Sequence, residues 1–127
     1  MVSETYTGPD RRQTLRIKYE GPGQISGKAS DGLMHAETVH FVNLSEGGAC
    51  LKVAIPFPDG TEPSLTFKIP GLLNIFIRVR IKIVWCTMYP MERCYLLGAQ
   101  FTPFQPYDLT ALRSFILTET KKGNKSD

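Results

Sequence analysis

Two short runs in this chain of 127 residues carry the side chains best suited to gripping an anion. The first is Arg11-Arg12-Gln13-Thr14-Leu15-Arg16, which places three guanidinium groups within six positions. Burying such charges unpaired is costly, so they are either solvated or held ready for an anionic ligand. Arginine presents a planar fork of donors that can meet two phosphate oxygens, or the O6/N7 edge of guanine, through parallel hydrogen bonds. A guanine nucleotide offers both targets. On its own the cluster suits a solvated domain entrance equally well.

The second run is Asn43-Leu44-Ser45-Glu46-Gly47-Gly48, at the end of a long strand-like segment. Asn43 offers a donor and an acceptor, Ser45 a hydroxyl, and Gly48 lets a flat base come close to the backbone. Asn, Ser and Gly are also common turn formers, so a simple turn is the plainer reading of this segment in isolation. Trp85 is the single tryptophan. It can stack on a base, or continue the inward-facing stripe of its strand into the core. Arg78, Arg80 and Lys82 share one face of that strand, as a solvated face or as an extension of a basic surface.

These side chains need strands to position them. Nine Pro and eleven Gly, scattered along the chain, suit many short elements joined by turns. Ile17-Lys18-Tyr19 begins a strand closed by Gly21-Pro22-Gly23. Residues 24–29 form a second, and Ser30-Asp31-Gly32 turns into a long strand over 34–44, with Val39, Phe41 and Leu44 inward. Short strands follow over 49–53 and 64–69, separated by a proline-containing loop from Pro56 to Pro63 with no evident role. The strongest periodic signal is 75–85. Its odd positions read Ile, Ile, Val, Ile, Ile, Trp, while 78, 80 and 82 are Arg, Arg and Lys, the alternation of a strand with one buried face. A turn at 90–92 returns the chain through 94–101. Leu109, Leu112, Phe115 and Ile116 then fit a helix with one apolar face, for which Asp108 is the expected N-cap. Residues 1–10 read as a flexible arm and 119–127 as a disordered basic tail.

Composition bounds the function. The length suits a single domain, and a formal net charge of +3 mildly favours an anionic partner without the dense basic run of a nucleic-acid arm. Cys50, Cys86 and Cys94 have no CxxC spacing, and no apolar signal segment opens the chain, which points to a reducing cytoplasm; Cys50 and Cys86 fall in apolar strand-like runs and are expected as buried thiols. His35 and His40 form no ligand set with the cysteines, and no Ser/His/Asp or paired-carboxylate arrangement is evident, so neither a metal nor an enzyme is expected. No apolar stretch reaches the roughly 18 to 20 residues of a membrane span. A general nucleic-acid-binding barrel using Arg78, Arg80, Lys82 and Trp85 is disfavoured by the shortage of stacking aromatics.

Taken together, Arg12 and Arg16 make a complete RxxxR, and Asn43, Ser45 and Gly48 a complete [D/N]xSxxG some tens of residues later. This pair, in this order and in a β-rich context, resembles the PilZ family, and the likeness extends over roughly Asp10 to Leu117, including the Leu97-Gly98-Ala99-Gln100-Phe101 strand. The resemblance implies an all-β, six-stranded antiparallel barrel with a C-terminal helix, spanning 11–118. It implies a cytoplasmic, non-enzymatic receptor for cyclic di-GMP, with the N-terminal arm folding over the ligand and a separate effector protein reading the result. Arg12 and Arg16 would hold phosphates and guanine edges, Asn43 and Ser45 would read a guanine, Gly48 completes the motif, and Trp85 would stack. Arg11, immediately before RxxxR, implies two intercalated ligand molecules. Asn43 departs from the commoner Asp, which removes one carboxylate acceptor and implies modest affinity. A PilZ-like barrel acting through protein contacts without nucleotide is the alternative.

Overall fold

The computed structural model describes residues 16–70 and 75–123. Seven strands are followed by one helix: β1 (Arg16–Lys18), β2 (Pro22–Lys28), β3 (Met34–Ser45), β4 (Gly48–Val53), β5 (Ser64–Ile69), β6 (Ile75–Tyr89), β7 (Cys94–Phe101) and α1 (Pro106–Lys121). The antiparallel order β3-β2-β5-β6-β7-β4 closes because β4 also pairs with β3, giving a six-stranded barrel. Closure removes the unpaired edges that an open sheet would expose. The short β1 lies outside this ring. It pairs with residues 43–45 of β3, on the edge that β2 occupies over residues 34–40.

Period-two patterning explains the barrel. In β6, Ile77, Val79, Ile81 and Ile83 are buried while residues 76, 78, 80 and 82 are exposed. Leu65, Phe67 and Ile69 of β5, Leu97 and Ala99 of β7, and Leu51 and Val53 of β4 fill the same interior. Helix α1 adds Leu112 and Ile116, and each fully buried aliphatic side chain contributes about 1.5–3 kcal/mol. Phe115 meets Tyr19 edge-on at 5.6 Å, and Tyr19 in turn meets Phe41 at 5.1 Å, so an aromatic chain joins the helix to the barrel wall.

The helix departs from expectation at both ends. It begins with Pro106 in its first turn after Gln105 in extended conformation, so Asp108 is not the N-cap but lies inside the first turn, where its charge suits the helix dipole. At the other end it continues through Glu119, Thr120 and Lys121, residues expected in a disordered tail. Thr120 Oγ1 donates to the Ile116 carbonyl, and the Lys122 N–H caps the last turn on Thr118 and Glu119. Residues 1–15 and 124–127, including the expected arm, Arg11 and Arg12, lie outside the described residues.

The proline-containing loop has a clear structural role. Phe57, between Pro56 and Pro58, is completely buried. Its flanks are tied down by hydrogen bonds from Ser30 N–H to the Pro56 carbonyl (3.1 Å), from Gly60 N–H to the Ile83 carbonyl (2.7 Å) and from Ile81 N–H to the Pro63 carbonyl (2.9 Å). The loop therefore plugs the interior with an aromatic ring.

At the β2–β3 hairpin, Asp31 Oδ2 lies 2.8 Å from His35 Nε2, and Glu37 Oε2 is 3.5 Å from His35 Nδ1. The hydrogen bond to Asp31 raises the His35 pKa above its ordinary 6.5. The Leu33 N–H, then His35, lowers that of Asp31 below 3.8. The His35 contribution to hairpin stability is thus complete below the ordinary histidine value and fades as pH rises through its own higher midpoint. The Asp31 contribution is complete above the ordinary carboxyl value and fades as pH falls through its lower one. Titration by NMR should give a His35 midpoint above 6.5 that drops in Asp31→Asn; an unchanged midpoint would place the imidazolium elsewhere.

Candidate functional site

The two motifs meet across a strand pair. Antiparallel register sets Arg16 of β1 directly opposite Ser45 of β3, and Lys18 opposite Asn43. Arg16 is exposed on the outer surface, and no described carboxylate forms an ion pair with it.

Ser45 is almost wholly buried, and its hydroxyl organises the turn. Oγ donates to the Gly48 carbonyl and accepts from the N–H groups of Gly47 and Gly48, all at 3.2 Å. Asn43 sits at a β-bulge, where the β3–β4 register shifts between Phe41 and Asn43, and its Oδ1 accepts from the Cys50 N–H at 3.2 Å. The amide so satisfies a ladder donor that the bulge displaces. Gly48 serves a close approach of a different kind from the one its sequence context suggested. A Cβ there would overlap the Ala99 carbonyl oxygen, so it is the β7 backbone that needs the glycine.

Trp85 is settled by a second bulge. The β6–β7 register shifts between Ile83 and Trp85, so the tryptophan leaves the inward stripe and is 42% exposed on the outside. Its indole lies across Gly98, its cross-strand partner, where a Cβ would collide with the ring. A bare glycine thereby provides the seat for a flat aromatic surface.

These placements create a shallow groove of about 290 Å³ lined by Arg16, Ser45, Gly48, Trp85, Cys50 and Gln100, among others. Arg16, Ser45, Gly48 and Trp85 are brought together; Asn43 stands just outside the lining. Cys50 was expected only as a buried thiol and Gln100 not as a site residue at all, but Cys50 and Cys86 are both only half-buried, Cys50 because its side chain lies on the outer face of its strand. Both occupy outward positions, Cys50 opposite Gly98 and Gln100 opposite Gly48, and only the register reveals their proximity. Burial raises the Cys50 pKa, opposed by the positive charges of Arg16 and Lys52, which keeps the thiol protonated. Among the described residues that line the groove, none is Asp, Glu or His, and Arg16 carries the formal charge. Glu46, in the same turn, is held away by Arg113 of α1, whose Nε and Nη2 both lie 3.1 Å from Glu46 Oε1. Chemically, the groove combines a cation, a stacking face, an amide and backbone groups.

The PilZ domain model matches residues 10–118. The chain belongs to the PilZ family. No curated protein matches the sequence. Among solved structures, the chain is similar to the inhibitor of motility MotI/DgrA of Bacillus subtilis, at 17% identity and TM-score 0.75, covering 89% of this chain and 53% of that one. It is also similar to the PilZ domain of Escherichia coli YcgR with c-di-GMP, at 16% identity and TM-score 0.63, covering 90% of this chain and 95% of that one. A third likeness is to the K. pneumoniae MrkH–c-di-GMP complex, at 18% identity and TM-score 0.57, covering 91% and 56% respectively. This PilZ chain spans about half the length of MotI and of the longer YcgR structure. Among the described residues no helix is long and apolar enough to cross a membrane, and no group of three His, Cys, Asp or Glu could hold a metal ion.

Proposed function

We propose that this PilZ domain is a receptor for cyclic di-GMP, and that the groove between β1, the 45–48 turn, β6 and β7 receives it. The observation that carries the reading is the convergence of Arg16, the Ser45–Gly48 turn and the outward Trp85 ring in one groove. A guanidinium fork answers a phosphate or a guanine edge, and the indole answers a purine face. That two of the solved PilZ neighbours are complexes with c-di-GMP supports the same ligand.

A volume of about 290 Å³ is at the small end for a ligand site. In this reading Arg11 and Arg12 on the N-terminal arm supply the remaining wall, and Arg11 favours a pair of intercalated ligands. Ordering the arm costs about 1–2 kcal/mol per residue, which charge-assisted contacts to phosphate must exceed. Ser45 holds the turn, which takes up the single donor and both lone pairs of its hydroxyl, while Asn43 fixes the strand that carries it and offers its side-chain NH2 to a guanine. The ordered arm is then the signal that a separate effector protein reads in the cytoplasm.

Isothermal titration with cyclic di-GMP, using GTP and a short single-stranded oligonucleotide as controls, tests the proposal. Saturable binding of cyclic di-GMP alone, at two molecules per chain, is the expected result. Arg16→Ala should weaken it by about 1–3 kcal/mol, or roughly fivefold to 150-fold, without unfolding the barrel. An unaltered isotherm in Arg16→Ala would remove this groove from the function, and no heat with the wild type would leave a barrel that works through protein contacts.

A further inference from the structure

The outward side of the β2–β5–β6 sheet carries Lys28, Lys68, Arg78, Arg80 and Lys82. None of these cations has an ion-pair partner among the described residues. The other outward positions on these strands include Gln24, Ser26, Ser64 and Thr66, and none is acidic. The register interleaves charge with hydroxyl: Arg80 lies opposite Ser64, which lies opposite Ser26, and Arg78 lies opposite Thr66. Glu62, in the loop before β5, borders the same surface as Lys28 and Arg80 but makes no ion pair with either. At the upper end Lys82 faces Gln100, so this surface adjoins the groove without belonging to it.

Charge complementarity points to what covers the face. Duplex DNA is held by neutralising many phosphates at once, and five cations on a chain of formal net charge +3 and pI near 8.8 fall short of that footprint. Single-stranded nucleic acid needs a row of stacking aromatics, and here the exposed aromatics of β6, Phe76 and Trp85, stand at its two ends with the cations between them. Sparse carboxylates on a protein surface match the spacing: each can take one cation, Arg78 and Arg80 can grip theirs bidentately, and the intervening hydroxyls can satisfy the remaining lone pairs. The geometry points to a docking surface for an acidic protein segment on the β2–β5–β6 face, separate from the nucleotide groove. This inference rests on the charge pattern and not on the cyclic di-GMP reading.

The test uses the full chain with a labelled short poly-glutamate peptide as probe, alongside a labelled DNA duplex and anionic lipid vesicles, at low and moderate salt. Two charge-matched variants are compared: Arg78→Glu with Arg80→Glu on the face, and Lys121→Glu with Lys122→Glu at the exposed end of α1. The peptide should bind the wild type, lose about tenfold in affinity with the first variant, and be nearly unaffected by the second, as rim charges act locally in moderate salt. Equal losses in the two variants, no binding of the peptide by the wild type, or duplex or vesicles held at least as tightly as the peptide would each overturn the assignment. Cyclic di-GMP titration of the same variants keeps the two readings apart, since neither variant touches the groove.

Discussion

Phe57→Ala is expected to cost about 3–5 kcal/mol of unfolding free energy, the usual range for deleting a buried aromatic ring. The ring is wholly inside, and the loop that carries it is pinned by hydrogen bonds to Pro56, Ile83 and Pro63. The backbone therefore cannot follow the truncated side chain inward, and the cavity stays largely open. For a domain of this size such a loss lowers Tm by roughly 10–25 °C, read by thermal unfolding in circular dichroism. Phe57→Leu, which refills most of the volume, should recover the larger part. A shift of only a few degrees in Phe57→Ala would mean that the plug contributes little and that the six strands close without it.

Gly48→Ala should damage fold and binding together. The added methyl meets the Ala99 carbonyl oxygen and, at 3.2 Å, its carbon, both of them backbone. No rotamer relieves that contact, so β4 must move from β7, at a cost of about 1–3 kcal/mol or more. The Gly48 N–H and carbonyl are both hydrogen-bonded to Ser45 Oγ, so the displacement carries the turn with it and opens the groove. Cyclic di-GMP affinity should fall by about tenfold or more alongside the loss in Tm. The adjacent Gly47→Ala is the internal control. Its methyl would meet only Ser45 Oγ, at 3.9 Å, and should leave both quantities near wild type. If the two variants behave alike, the close approach of β7 is not what the motif glycine serves.

The barrel was legible because its strands alternate cleanly: residues 75–83 announce a half-buried strand, and Asp31-Gly32 a hairpin. The family motifs were legible because they are contiguous. What escaped reading was decided by register. Nothing in Ile83-Val84-Trp85 marks a bulge, since no glycine or proline interrupts the run, yet one extra residue turns Trp85 from core to surface. Phe57 escaped because a lone aromatic among prolines has no period to assign it a face. Cys50 and Gln100 reached the groove through pairings between strands distant in the chain, for which local pattern carries no information. The helix boundaries slipped because Asp108 is a good cap residue, whereas the turn is begun by the fixed φ of Pro106.

The ring of strands also has a kinetic and thermodynamic meaning. The groove is assembled from β1, β3, β4, β6 and β7, and the β3–β4 and β4–β7 pairings that shape it are those that complete the circle. The β3–β4 and β6–β7 hairpins each carry one side of it, and the non-local β4–β7 pairing brings the sides together, so a competent site appears only when that contact forms, at the slow end of folding. Any ligand of this groove therefore binds only the fully closed state and shares its binding free energy with the entire barrel, about 2.7 kcal/mol at a free concentration a hundred times Kd. Occupancy then slows local opening everywhere, and hydrogen exchange in strands remote from the groove becomes a measure of how full it is.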